Sequence, residues 1–365
     1  MFRYASAFRS SVGHVHKTIF ICFSENFKIR LGPRLLISEV KDTMNIMNIV
    51  VVGAGISGCV CAWRLAKAGH TVTLVEKGRG VGGRMATRRM DGARIDHGAQ
   101  FFTVRDPRMK ELLSLWEEQN AVVPWYDQIP GRPDLPKGMR YRGTQGMTGP
   151  AKVLAKEFCV KTNFFVSRVE QNQSQWFIYS RDDVDSELQA DHLVLTIPSV
   201  QLLELFQRSD YQLDDQSMSS IRSIRHTRCL AILGKLDRPS ALHIPGTLTH
   251  PVPEIDWISD NQIKGISNEP ACTIHASDEY SQKFWDAEDS ERVPYLLSIA
   301  EELLQAKISS WACHRWGFAK PSVTFGATYW HSKGRNLTLA GDGFGGERVE
   351  NAALSGWEAA DSILR

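Results

Sequence analysis

The chain is poor in cysteine for its length, with seven in 365 residues (Cys22, Cys59, Cys61, Cys159, Cys229, Cys272 and Cys313) and no CxxC pair among them. An odd number without paired spacing excludes a disulfide framework, and the lack of His-rich spacing excludes a structural zinc site, so no metal is expected. An apolar run of about 18 residues, the length that crosses a bilayer, is also missing. Charge of one sign is not in excess: 43 Lys and Arg stand against 41 Asp and Glu, for a formal net charge of +2. No basic block occurs that would neutralise many phosphates, which excludes nucleic acid or a membrane surface as an obligatory partner. Internal repeats and low-complexity tracts are absent too, and the length suggests two domains.

What is present is concentrated first between Ile49 and Glu76. Four apolar β-formers, Ile49 to Val52, run into Gly53-Ala54-Gly55-Ile56-Ser57-Gly58, followed by a helical pattern, a stop at Gly69 and a second strand ending on Glu76. In such a turn the first glycine makes the bend, the second lets a pyrophosphate approach the backbone, and the third lets helix and strand pack closely. The helix N-terminus offers unpaired N–H groups and partial positive charge to a phosphate. Glu76, 23 residues after Gly53 and followed by Lys77, is placed to accept both hydroxyls of an adenosine ribose.

A second glycine cluster follows, Gly80-Val81-Gly82-Gly83-Arg84, in which the backbone can pass close to a ligand while Arg84 offers a planar fork to phosphate oxygens. Next comes Asp96-His97-Gly98-Ala99-Gln100-Phe101-Phe102, where a flat ring can lie against Gly98 and Ala99, with Gln100 a candidate for both the cofactor and the substrate pocket. Asp96 and His97 are expected to be a hydrogen-bonded structural pair rather than reacting groups. Near the end, Asn336 to Ala340 forms a buried-looking strand, Gly341-Asp342-Gly343 a glycine turn with one acid, and Val349 to Leu364 a helix with small residues on its first turns. Two glycine-rich dinucleotide elements at opposite ends of the chain call for a cofactor as long as FAD, with its reduced ring favoured by the helix N-terminus at Val349.

Between these ends, residues 107–118 read as a helix with Met109, Leu112, Leu113 and Trp116 on one face, and 130–149 as loop or edge. Helix returns at 150–158. A β-meander then leads to a buried strand, 192–197, that completes a parallel sheet. From about 200 the aromatics and scattered strands indicate a second domain on an antiparallel sheet, with a helix over 293–307. The expected class is therefore α/β. A Rossmann-like FAD-binding domain (47–100, 146–200 and 333–365) is joined to a discontinuous α+β substrate domain (101–145 and 201–332). His314 and Trp316 alternate on a strand and share a face, which makes them, with Gln100, the substrate-side candidates.

The chain from Ile49 onward resembles the FAD-dependent amine oxidase superfamily, and within it the renalase-like oxidoreductases of bacteria. The resemblance rests on GRGVGGRMATRR followed by DHGAQFFT, then Trp257 to Asn261, Thr273 to Ser277, and Cys313-His314-Arg315-Trp316. Gly80 stands where the generic pattern has arginine, a departure shared with the renalase-like branch. No cysteine follows Cys313, so the FAD is expected to be held non-covalently; the resemblance implies that Asp342 accepts a ribityl hydroxyl and that Val169 reaches the adenine through its backbone. It further implies oxidation of isomeric dihydro-NAD(P), with hydride passing to flavin N5 and O2 as acceptor, giving H2O2. No general base is assigned. An amine or amino-acid oxidase, with Arg315 as the carboxylate-binding candidate, is the alternative within the class; a protein that keeps FAD or another nucleotide without turnover is the alternative outside it.

Residues 1–46 stand apart from this plan. The first 24 carry Arg3, Arg9 and Lys17 and no acid, in the manner of an organellar presequence. The favoured expectation is that they are an upstream reading of the gene, given Met44 and Met47 just before the first strand, and that the protein is cytoplasmic. A genuine presequence would place it in a mitochondrion or plastid.

Overall fold

The computed structural model describes residues 45–131, 133–134, 137–181 and 187–365, so the expectation for the N-terminal extension lies, but for its last two positions, outside the described residues. The chain from Asn45 to Arg365 holds together as one compact unit.

The first strand, β1 (Asn48–Val52), alternates strictly between two cores: Ile49 and Val51 pack with the helix Ile56–Lys67 and the C-terminal helix Val349–Leu364, while Val50 and Val52 pack on the opposite face with Leu193, Leu195 and Phe206. That two-sided burial is why β1 reads as a continuous apolar run rather than as an amphipathic strand. β2 (Thr71–Val75) pairs parallel to it, Val51 opposite Leu74. A hairpin of β3 (Thr87–Met90) and β4 (Ala93–Asp96) follows, then the helix Pro107–Glu118, which buries Met109, Leu112, Leu113 and Trp116 as its periodicity requires.

The passage expected to be loop or edge contains half of a hairpin: β5 (Val122–Tyr126) pairs with β6 (Arg140–Gly143). The helix expected over 150–158 spans Gly149–Leu154, because the chain must turn to deliver β7 (Cys159–Lys161) to the parallel sheet beside β2. β8 (Val166–Asn172), β9 (Gln175–Ser180) and β10 (Glu187–Ala190) make the antiparallel meander, and β11 (His192–Leu195) returns beside β1.

The two-residue β12 (Arg225–His226) precedes the antiparallel strands β13 (Cys229–Leu236), β14 (Thr247–Val252), β15 (Ile255–Asp260), β16 (Ala271–Ala276) and β17 (Ile308–Trp316), ordered β14-β15-β16-β13-β17. One face is covered by the helix Pro294–Leu304 through Leu296, Ala300 and Leu304. This helix stops short of the expected 307 because Gln305 turns left-handed at φ 50°. β18 (Pro321–Val323) pairs with β12, and β19 (Trp330–Ser332) and β20 (Leu337–Leu339) complete the first sheet in the order β19-β20-β11-β1-β2-β7. Only the β19–β20 pair in that sheet is antiparallel.

Candidate functional site

The glycine turn after β1 is held from both sides. Gly53, at φ 103°, donates its N–H to Val75 O at 2.9 Å. A Cβ on Gly58 would lie 2.0 Å from Gly53 O, so the helix and strand meet only because that side chain is missing. Glu76, expected to bind ribose hydroxyls, already organises this turn: Oε2 accepts from Ala54 N at 2.9 Å and Oε1 from Gly78 N at 2.8 Å. Each carboxylate oxygen has a second lone pair, so this role and the expected one are compatible. Lys77 beside it is exposed.

The second glycine cluster closes onto the first. Gly82 N donates to Ala54 O at 2.8 Å, and a Cβ on Gly83 would come within 3.2 Å of Gly55 Cα. Ala99 N in turn donates to Arg84 O at 2.8 Å, and Gly98 lies so close to the same carbonyl that a Cβ there would stand 1.9 Å from it. Arg84 and Asp342, assigned from sequence to phosphate and ribityl, are each other's partners: Nη1 and Nη2 donate to the two carboxylate oxygens at 2.5 Å each, and Nη1 also donates to Phe318 O at 2.8 Å. The fork of Arg84 is thus engaged by a carboxylate rather than presented free. Sequence alone could not show this, because the two residues are 258 positions apart.

These elements surround a cavity of about 600 Å³ lined by Gly55, Ile56, Ser57, Gly341, Asp342 and Val349, together with Gly98, Ala99 and Gln100. The N-terminal turns of two helices, Ile56–Lys67 and Val349–Leu364, therefore open onto it, each with first-turn N–H groups that lack intrahelical partners. Two observations test whether FAD fits. Ser57 Oγ is buried without a hydrogen-bond partner, and a Cβ on Gly55 would meet no atom within 4 Å although its φ of −68° suits any residue. A glycine that the protein itself does not require, beside an unpartnered hydroxyl at a helix N-terminus, fits a bound phosphate. Val169, expected to reach the adenine through its backbone, donates its amide N–H to Ser209 Oγ at 2.9 Å.

Gln100 lines the cavity but its side-chain polar atoms are engaged. Nε2 donates to Asp96 O at 2.6 Å and Gly98 O at 3.0 Å; Oε1 accepts from Ser259 Oγ at 2.9 Å and Lys264 Nζ at 3.1 Å. The side chain thereby holds β4 to β15. Asp96 is structural as expected, but its partner is not His97: Oδ2 accepts from the buried Lys264 at 2.8 Å, and Oδ1 from Thr87 Oγ1 and Met147 N. Burial holds the Lys264 ammonium below its ordinary pKa, against the pull of Asp96. Lys264 carried no sequence signal, since it lies in an ordinary polar turn.

His97 instead stacks on Trp316 at 5.2 Å between ring centroids, and Trp316 Nε1 donates to His97 O at 2.8 Å. Trp316 lines the cavity. His314 meets its ring edge-on at 4.2 Å but stands behind it, not among the lining residues. Burial pushes the His97 imidazole down to about 3, with His314 adding to the effect, and pushes His275 down to about 4; His314 is lowered as well. Arg315, on the other face of β17, lies over Trp285 with its Cζ 5.8 Å from the ring centroid and does not line the cavity. Among the arginines that do, Arg140 comes from β6, in the passage that sequence read as loop or edge. Among the described residues no cluster of His, Cys, Asp and Glu is arranged to hold a metal, and no helix is long and apolar enough to cross a membrane.

Comparison with known proteins agrees with this geometry. Residues 51–116 match an NAD(P)-binding Rossmann-like domain, and residues 132–364 match the flavin containing amine oxidoreductase family. Solved structures of the same fold include cyclohexylamine oxidase from Brevibacterium oxydans IH-35A (TM-score 0.68, 13% identity, 87% of this chain and 98% of that one). Putrescine oxidase bound to putrescine is another (TM-score 0.64, 16% identity, 88% and 99%). A fatty acid isomerase from P. acnes is a third (TM-score 0.61, 12% identity, 87% and 98%). Among curated relatives, a 4,4'-diapophytoene desaturase from Staphylococcus haemolyticus is 48% identical over 60 residues, which span only 12% of its length and 16% of this chain. The match over 132–364 covers more than half of the sequence, and the chain belongs to the flavin-containing amine oxidoreductase family, as an FAD-dependent oxidoreductase.

Proposed function

We propose that this enzyme is a renalase-like oxidase of isomeric dihydro-NAD(P), returning NAD(P)+ and passing electrons to O2 with release of H2O2. In this reading the parallel-sheet half holds the cofactor and the antiparallel half supplies the substrate wall. FAD held there would supply the hydride acceptor and the route of the electrons to O2. Gly55, Ser57 and the N-terminus of the helix Ile56–Lys67 would hold its phosphates, Glu76 its ribose, and the N-terminus of the helix Val349–Leu364 would face the ring that gains negative charge on reduction. Gly98 and Ala99 leave a flat surface for a ring.

The observation that carries the proposal is the chemistry of the ring wall. His275 on that wall, held neutral down to about 4, is a poor proton acceptor at neutral pH, and so are His97, held neutral down to about 3, and the lowered His314, which pack against Trp316 without lining the cavity. A primary amine arrives as an ammonium ion and must lose a proton before oxidation. A dihydronicotinamide releases hydride under the push of its own ring nitrogen and asks no side chain for proton transfer, only for orientation. Trp316, fixed by its hydrogen bond to His97 O, provides that orientation. The lining cations, which include Arg105, Arg140, Arg228, Lys320 and Arg348, suit a phosphate-bearing substrate and oppose a polyamine. Three of the lining acids are engaged, Asp342 by Arg84, Asp278 by Arg228 N at 2.8 Å and Asp256 by His250 at 3.3 Å, and the fourth, Glu347, is exposed.

Steady-state assay tests the proposal: with a 2- or 6-dihydronicotinamide dinucleotide, one NAD(P)+ and one H2O2 should form per O2 consumed. Peroxide produced from primary amines and not from either isomer would replace this reading with that of an amine oxidase.

A further inference from the structure

Phe101 lines the cavity, and unpartnered polar atoms collect around it. Arg140 Nε, Trp257 Nε1 and Thr249 Oγ1 are buried, have no hydrogen-bond partner, and belong to residues that line the cavity. Trp125 Nε1, on the neighbouring strand, is a fourth. The rings of Trp257 and Trp125 lie 5.7 and 6.5 Å from that of Phe101, and the Arg140 guanidinium stands over the faces of Phe101 at 5.6 Å and Tyr126 at 5.3 Å. Thr249 is the register partner of Trp257 across β14 and β15. Buried polar atoms in folded proteins are ordinarily paired, so a concentration of them on one cavity wall is informative.

Arg140 is built rather than incidental. It is 8% exposed, and its Nη1 donates to Asp127 O at 3.0 Å and Gly138 O at 2.7 Å, which fixes the guanidinium within its own hairpin. No described carboxylate forms an ion pair with it. A buried cation clamped by backbone carbonyls, stacked on two aromatic faces and lacking a countercharge is set to receive one. Arginine and tryptophan N–H groups can only donate, so the group they receive must be an acceptor; the positive charge makes it an anion and turns away an ammonium.

We propose that the cavity wall at Phe101 is an anion subsite in which Arg140, with Trp257 and Thr249, receives a carboxylate or phosphate group of the substrate. The subsite deepens the reading above by placing the anionic group of the substrate, and rests on that reading only for the molecule that carries the anion.

The test uses the oxidised, FAD-loaded enzyme and ligands that cannot reduce it, with the visible flavin spectrum as readout. Nicotinate, the carboxylate, should bind at least tenfold more tightly than nicotinamide, its neutral counterpart; inorganic phosphate should compete with nicotinate if the subsite also accepts phosphate and should not if it is restricted to carboxylates. In Arg140→Gln the preference for nicotinate should vanish, while Arg140→Lys keeps part of it. Trp257→Phe retains the ring, loses one donor and should weaken nicotinate severalfold, which keeps the proposal testable if Arg140→Gln does not fold. Equal affinity for nicotinate and nicotinamide in the wild type, no binding of nicotinate, or an undiminished preference in Arg140→Gln would overturn it. Because no turnover is involved, failure of the dihydronicotinamide reading alone would leave this result unchanged.

Discussion

Gly55 separates what the protein needs from what the cofactor needs. Its φ of −68° and ψ of 174° are open to any L-residue and a Cβ would touch nothing, so Gly55→Ala should leave the stability of the cofactor-free protein within about 0.5 kcal/mol of wild type. Flavin affinity, measured by equilibrium dialysis, should fall at least about tenfold, roughly 1.4 kcal/mol, because the methyl group stands where a phosphate would approach. Unchanged affinity would remove the turn from the cofactor site. Glu76→Ala has a different signature. It removes acceptors from both Ala54 N and Gly78 N, so it should cost about 1 to 3 kcal/mol of stability in urea denaturation as well as flavin retention. Residues such as these were legible in sequence because the turn motif is local. The pairing of Arg84 with Asp342, the full engagement of Gln100 and the exposure of Arg140 to the cavity were not, because each depends on contacts between distant segments.

Elements were legible where their period is intrinsic, as in the helix Pro107–Glu118, whose four buried residues follow from spacing alone. Short strands with charged or aromatic residues were not: β6 reads RYRG, and only pairing with β5 makes it a strand. Two contacts between elements carry predictions. The helix Ile56–Lys67 crosses the C-terminal helix so closely that a Cβ on Gly356 would lie 2.0 Å from Ser57 O. Gly356→Ala should therefore destabilise by about 1 to 3 kcal/mol and loosen flavin binding together, since Ser57 moves with it; thermal denaturation with and without FAD distinguishes this from a neutral surface change. The buried Lys264–Asp96 pair fastens the turn after β15 to β4. Lys264→Met should cost about 3 to 5 kcal/mol by stranding the carboxylate, and Asp96→Asn added to it should recover part of that loss. A single change costing under about 1 kcal/mol in chemical denaturation would contradict the role assigned to the pair.

For the whole molecule, the class of fold and the two-ended cofactor motif followed from sequence, while the continuity of one compact unit from Asn45 to Arg365 is a tertiary fact. Its stability should depend on pH through histidines buried neutral. His97 and His192 are both pushed down to about 3, chiefly by burial, His192 while hydrogen-bonded to Thr338 Oγ1 at 2.8 Å. The unfolded chain takes up protons near pH 6.5 where the folded one does not, so this contribution is full above about 6.5 and is lost as pH falls toward 3. The slope should be on the order of 1 kcal/mol per pH unit for each histidine. Urea midpoints that stay constant from pH 7.5 to 5, above the range in which ordinary carboxylates titrate, would contradict it.

The central claim is that the enzyme takes hydride from a dihydronicotinamide ring without proton transfer from a side chain. Anaerobic stopped-flow mixing of the FAD-loaded enzyme with a 2- or 6-dihydronicotinamide dinucleotide measures this directly. Rapid bleaching of the flavin spectrum, with a rate independent of pH between about 6 and 8 and full recovery on admitting air, is the predicted result. A flavin that stays oxidised with both isomers and is bleached by primary amines would contradict the account.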